Sequence, residues 1–207
     1  MVEISIQKNN KLENLLEIIY PSRFIPQKFA SSDEYYKFLL DLKQKEAEVI
    51  KKFLKLSQND ILLDFGAGMG LITEHLHRSV KTTYCYEVDR NMLQYCKDKF
   101  QSHYNVKIIE KYTQIKPNKI TANHVFSENF TFDEFVTCIE SFHKIIQKNG
   151  LVWLDFFDEQ QKNNYNAGAK MNFYSINSTL DALKLIGFKS KLVDSRDVHV
   201  KLLIQKL

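Results

Sequence analysis

The stretch Ile61-Leu62-Leu63-Asp64-Phe65-Gly66-Ala67-Gly68-Met69-Gly70 constrains this chain more than any other. Three apolar residues with good strand propensity run into an acid, and glycine then takes every second position. Leu71 to Leu76 follows with a helical pattern. A strand that turns at once into a helix across glycine lets a ligand lie against bare backbone. The chain has only six glycines, and their concentration here argues against a chance loop.

The spacing is Asp-x-Gly-x-Gly-x-Gly, not the Gly-x-Gly-x-x-Gly of dinucleotide-binding turns. A second strand, Thr82 to Tyr86, ends at Glu87, seventeen positions after Gly70. An acid at the tip of the neighbouring strand is where a ribose diol is held by two hydrogen bonds. On these residues the chain resembles the class I S-adenosylmethionine-dependent methyltransferases. Asp64 to Gly70 is similar to their first motif, and Glu87-Val88-Asp89-Arg90-Asn91-Met92-Leu93 to their second. Ile145 to Leu154 resembles their late helix–turn–strand segment, and Tyr174-Ser175 through Gly187-Phe188 their closing one.

The resemblance covers roughly residues 45–207 and implies a doubly wound, mostly parallel α/β sheet. Seven strands are expected in the order 3-2-1-4-5-7-6, with strand 7 antiparallel. Residues 1–44 are read as an N-terminal helical cap or lid, and residues 45–207 as the S-adenosylmethionine-binding domain. The implied cofactor is S-adenosyl-L-methionine. Asp64, Gly66, Ala67, Gly68, Gly70, Glu87, Val88, Met92, Tyr112 and Thr113 are its implied contacts. Glu87 would accept the ribose hydroxyls, and Met92 would pack on adenine or serve as core. Asp64 would hold the turn or reach the ligand ammonium through a water. Many family members carry an acid after the third strand; alignment puts Tyr112 there, leaving adenine to Tyr112, Thr113 or backbone. Many also start the fourth strand with aspartate, where this chain has Asn123.

Along the chain, Pro21 and Pro26 break an aromatic segment that reads as a lid or a strap around Tyr20, Phe24 and Phe29. Ser32 is placed to cap a helix from Asp33 to about Leu56. Ile120 to Ser127 reads as the fourth strand, with His124 inside it and facing packing. Phe132 to Gln147 reads as a helix ended by Gly150 in the left-handed position. Asp158 to Lys170 reads as a functional loop. Ser175 or Ser178 caps a last helix. Phe188 to Val193 and Val198 to Ile204 form a hairpin across Ser195-Arg196-Asp197.

Methyl transfer needs chiefly alignment and exclusion of water, with a base optional. Ser127, Glu128, Asn129, Asp155 and Asp158 lie near the ends of strands four and five, and Glu128 is the favoured catalytic residue. No Asn-Pro-Pro-Tyr or Asp-Pro-Pro-Tyr run follows the fourth strand, which argues against adenine amino-methyltransferases of nucleic acid.

The net charge of +4 is mild beside 25 acidic residues and, with no dense basic stretch, argues against a nucleic-acid partner. The expected acceptor is therefore a small molecule, methylated at O or N. RNA or protein methylation, and a catalytically inactive S-adenosylmethionine-binding module, are the alternatives. Cys85, Cys96 and Cys138 lack Cys-x-x-Cys spacing, so neither a disulfide framework nor a metal site is expected. With no signal pattern and no membrane-length apolar run, a cytoplasmic setting fits. Oligomeric state is not encoded legibly.

Overall fold

The computed structural model describes residues 31–164, 171–195 and 199–207. Helix α1 spans Ser32–Leu54. Its cap is Ser31 rather than Ser32, because Ser31 Oγ accepts the Glu34 N–H at 3.2 Å and so satisfies a first-turn donor. The chain divides into two compact units between Glu46 and Ala47, inside this helix. In the first unit Tyr36 and Leu39 are buried, and Lys43 pairs with Glu46 at 2.8 Å. In the second, Ala47, Ile50 and Leu54 recur at helical spacing and enter a core with Leu62, Ile72, Leu76 and Trp153. The lid or strap around Tyr20, Phe24 and Phe29 lies outside the described residues.

Strand β1 (Ile61–Phe65) leads through the glycine turn to α2 (Leu71–Leu76). β2 (Thr82–Tyr86) leads to α3 (Arg90–Phe100). β3 (Val106–Ile109) reaches β4 (Lys119–Ala122) through a single 3₁₀ turn at Tyr112–Gln114, so this crossover has no α-helix. A short α4 (Phe126–Asn129) and then α5 (Phe132–Ile145) precede β5 (Leu151–Asp158). The chain ends with β6 (Phe173–Tyr174), α6 (Ile176–Ile186), β7 (Phe188–Asp194) and β8 (His199–Lys206). Residues 165–170 of the expected functional loop and 196–198 of the hairpin turn lie outside the described residues.

The described strands form one eight-stranded sheet in the order β3-β2-β1-β4-β5-β8-β7. β1 to β5 pair in parallel, and β8 runs antiparallel to both β5 and β7. This is the expected class I methyltransferase order with one added strand. β6 pairs with the end of β5 through Phe157↔Phe173 and Asp158↔Tyr174, two registers too short to be legible as a strand. Successive residues of β1 point to opposite faces. Leu63 and Phe65 join the core under α5 and α6, and Leu62 joins the core under α1 and α2.

Local chemistry places the helix ends. Thr131 and Glu134 form a reciprocal capping box at α5. Ser175, not Ser178, caps α6 by accepting the Ser178 N–H at 3.4 Å. The left-handed residue after α5 is Asn149 (φ 62°), not Gly150. Asparagine tolerates that region, whereas a Cβ on Gly150 would lie 2.5 Å from Ile146 Cγ1 and 2.8 Å from the Gln147 carbonyl. β4 ends at Ala122, earlier than expected, because His124 takes φ 57° and breaks the extended run.

Candidate functional site

The chain winds outward from β1 to β2 and β3, then returns to β4 on the other side of β1. That reversal opens a crevice at the carboxyl ends of β1 and β4, the usual ligand position in such sheets. The glycine turn sits at its lip. Gly66 N–H and Ala67 N–H both donate to the Tyr86 carbonyl, at 2.9 and 3.0 Å, which ties the turn to the end of β2.

The three glycines do different things. All have positive φ, between 54° and 71°, a region costly for residues with a Cβ. A Cβ on Gly66 would lie 2.5 Å from Val125 Cγ2. One on Gly70 would overlap the Phe100 ring and stand 3.2 Å from Cys96 Sγ. Gly66 and Gly70 thus make room for the chain's own side chains, which corrects the expectation that all three lie bare to a ligand. Only Gly68 has an open side, its nearest neighbour being Met92 Sδ at 3.8 Å. A side chain there would fill a cradle that fits a ligand lying on backbone.

Glu87 follows β2 directly and reaches the turn. Its Oε2 accepts the Gly68 N–H at 2.7 Å. Its Oε1 accepts the Val88 and Asp89 N–H groups at 2.6 and 2.9 Å. A carboxylate offers about four lone-pair sites, so three are committed. One ribose hydroxyl can be accepted without loss, and a second only if a backbone bond is given up. Asp89 caps α3 through the Asn91 and Met92 N–H groups, each at 2.9 Å. Val88 is exposed beside it. Asp64 is buried and accepts the Thr73 hydroxyl at 2.6 Å, holding β1 to α2. Cys96 donates its S–H to the Gly68 carbonyl at 3.1 Å, and burial pushes its thiol up to about 12.

After β3 the residues separate. Thr113 is exposed. Tyr112 packs edge-on against Phe65 and Tyr86, with ring centroids at 5.0 and 4.9 Å, and against Phe142. Burial raises its hydroxyl pKa. The Tyr112 ring is thus held half-buried by three elements, with packing as its shown role.

The strand-four tip reads Asn123-His124-Val125-Phe126. An amide and an aromatic ring keep the first and fourth places of an Asn-Pro-Pro-Tyr run, while both middle residues differ. Those two ends were the legible signal for this segment. Proline cannot occupy His124's place, since it lacks both positive φ and the N–H that His124 donates to Asp155 Oδ1 at 2.7 Å. Phe126 is fully buried among Phe65, Phe130 and Phe135. Glu128, the favoured base, is exposed on α4. Ser127 Oγ accepts the Phe157 N–H at 2.6 Å, and Asp158 Oδ1 accepts the Gln160 N–H at 3.2 Å. Asp155 differs from these. It is 3 % exposed, and its Oδ2 has no hydrogen-bond partner, standing 3.9 Å from His124 Nε2.

Elsewhere, a groove of about 510 Å³ lies between α5 and α6, lined by residues that include Val136, His143, Leu185 and Ile186. No group of three His, Cys, Asp or Glu among the described residues is placed to hold a metal ion. No helix among them is long and apolar enough to cross a membrane.

Residues 34–132 match the sequence model of a family described as "Ribosomal RNA adenine dimethylase". The "Ribosomal RNA small subunit methyltransferase A" of Lysinibacillus sphaericus is 36% identical over 55 residues, 27% of this chain and 19% of that protein. The "Probable ribosomal RNA small subunit methyltransferase A" of Methanococcoides burtonii is 31% identical over 94 residues, 44% of this chain and 34% of that protein. The chain thus spans about a fifth to a third of the length of these relatives. Among solved structures, an S-adenosylmethionine-dependent methyltransferase from Clostridium acetobutylicum superposes with a TM-score of 0.66. It shares 13% identity, over 79% of this chain and 91% of that one, a likeness of fold. These matches overturn the expectation of a small-molecule acceptor and of no nucleic-acid partner. The family and both relatives are named for ribosomal RNA, and the charge balance that argued against it is a whole-chain sum, silent about any one face.

Proposed function

We propose that this chain, which belongs to the class I, Rossmann-like S-adenosylmethionine-dependent methyltransferases, transfers methyl groups to RNA, with an adenine amino group as acceptor. The observation that carries this reading is the family match over residues 34–132. It takes in the glycine turn, Glu87 and the Asn123-to-Phe126 tip. Asn123 supports it further, since a side-chain amide can accept from an exocyclic amine and orient it.

When bound, S-adenosylmethionine supplies a methyl carbon already activated by positive sulfur. The protein's part is to bind, align and exclude water. Gly68 offers its open backbone, and Glu87 offers its remaining lone pair to a ribose hydroxyl. Asp64 and Thr73 hold the turn from below. Val125, wedged against Gly66, fixes the acceptor-side segment to the cofactor turn.

The test is transfer of radiolabelled methyl from S-adenosylmethionine to transcribed small-subunit ribosomal RNA, followed by nucleoside analysis. Label in methylated adenosine is the expected result. A protein that binds S-adenosylmethionine by calorimetry and labels no RNA sinks the reading, leaving the binding module.

A further inference from the structure

His124 stands out on three independent counts. Its backbone is left-handed at φ 57°, a conformation that non-glycine residues keep only when surroundings enforce it. The enforcing contact is the Asp155 carboxylate, which takes its N–H through Oδ1 and faces its imidazole Nε2 at 3.9 Å through Oδ2. That second oxygen is buried with no hydrogen-bond partner, a costly arrangement for a carboxylate unless a cation forms beside it. The imidazole itself keeps an edge toward solvent, with its side chain 21% exposed. The adjoining Val125 presses on Gly66, so His124 stands one residue from the contact that joins the end of β4 to the cofactor turn.

We infer that His124, held by Asp155, is the base that takes the acceptor's proton during methyl transfer. This deepens the function proposed above and rests on it. The acceptor nitrogen bonds to the methyl carbon as the carbon–sulfur bond breaks and leaves its electron pair on sulfur. The proton lost from that nitrogen passes to the imidazole, whose Nε2 side faces Asp155. The new imidazolium then lies beside Asp155 Oδ2, the oxygen that no hydrogen bond reaches in the resting protein. Asp155 on β5 and His199 on β8 both meet this imidazole. His199 meets it edge-on with ring centroids 4.6 Å apart, and Lys201, paired in register with Asp155, leans 4.0 Å from Asp194. The Lys201 charge opposes protonation of His124, and the Asp155 carboxylate favours it.

The experiment compares wild type, His124→Asn and Asp155→Asn. Asparagine tolerates left-handed backbone, so His124→Asn keeps the turn, and calorimetry with S-adenosylmethionine checks that the site is intact. Single-turnover methyl transfer to transcribed small-subunit ribosomal RNA is followed from pH 5.5 to 8.5, a range chosen around the usual ~6.5 of histidine. The His124 ring signal is titrated by NMR in protein alone. In wild type the rate should climb with pH and level off where the ring titrates. His124→Asn should lose about 100-fold in rate and the climbing limb, with S-adenosylmethionine affinity unchanged. Asp155→Asn should move both the limb and the ring titration to lower pH. A climbing limb that survives in His124→Asn, or a ring titration that Asp155→Asn leaves in place, overturns the role. Wild type that methylates no RNA overturns the functional reading and this role with it.

Discussion

Alanine at Gly68 and at Gly70 should separate ligand space from packing space within one turn. Both sites have left-handed backbone, φ 54° and 69°, which costs alanine about 1–2 kcal/mol. Stiffening the unfolded chain returns about 0.4–1 kcal/mol. At Gly68 nothing else is lost, since the nearest atom is Met92 Sδ at 3.8 Å. At Gly70 the methyl meets the Phe100 ring, itself buried, and Cys96 Sγ at 3.2 Å. Overpacking of this kind costs about 1–3 kcal/mol more. A domain of this size loses about 2–4 °C per kcal/mol. Gly70→Ala should therefore melt about 5–15 °C below wild type, and Gly68→Ala about 1–5 °C below. S-adenosylmethionine affinity reverses the order. Gly68→Ala should lose at least about tenfold, equivalent to 1.4 kcal/mol, because its methyl takes space meant for ligand. Thermal melts and titration calorimetry on the purified variants supply both numbers. Equal destabilisation at the two sites, or wild-type affinity in Gly68→Ala, refutes the division of roles.

Thr73→Val removes the hydroxyl that donates to buried Asp64 at 2.6 Å and should cost about 1–3 kcal/mol in urea unfolding; no loss would mean Asp64 is satisfied otherwise. Tyr174→Phe takes one hydroxyl from two carbonyls, Phe126 at 3.0 Å and Phe130 at 2.6 Å, and should cost a similar ~1–3 kcal/mol while freeing the α4 segment in hydrogen exchange. His77 is buried, and burial lowers its pKa against the opposing Asn105 hydrogen bond, with His103 and Arg78 adding to the lowering. The unfolded chain then takes up the proton first. The stability His77 contributes is full above about pH 6.5 and is lost as pH falls through its lower folded value. The urea midpoint should drop on acidification across that window, and His77→Asn should flatten the drop; an unchanged slope would exclude His77 as its source.

What sequence spacing conveyed was local. Asp64, the glycine turn and Glu87 lie within a strand–turn–helix unit and the tip of the next strand. Alternation and glycine placement nearly determine such a unit, and the sheet order follows from chaining such units. What it did not convey came from contacts across elements. Tyr112 packs half-buried against the core because Phe65, Tyr86 and Phe142 converge on it from β1, β2 and α5. His124 leaves the strand because Asp155, thirty-one positions later, captures its N–H. Asn149 takes the left-handed place because Ile146 and Gln147 leave no room beside Gly150. The likeness to ribosomal RNA adenine dimethylases was missed for a related reason: Asn123 and Phe126 kept the ends of a pattern whose middle this backbone cannot adopt.

The sulfur atoms bracketing the turn have a practical consequence. The chain's three cysteines are all buried. Burial pushes Cys85 well above the ordinary thiol range and Cys96 and Cys138 up to about 12. Alkylating dyes attack the thiolate, so the native chain is nearly inert to them. A single Val88→Cys substitution, at a side chain 75% exposed beside Glu87, would therefore carry an attached fluorophore almost alone. Its emission would report, in real time, each arrival and departure at the mouth of the crevice.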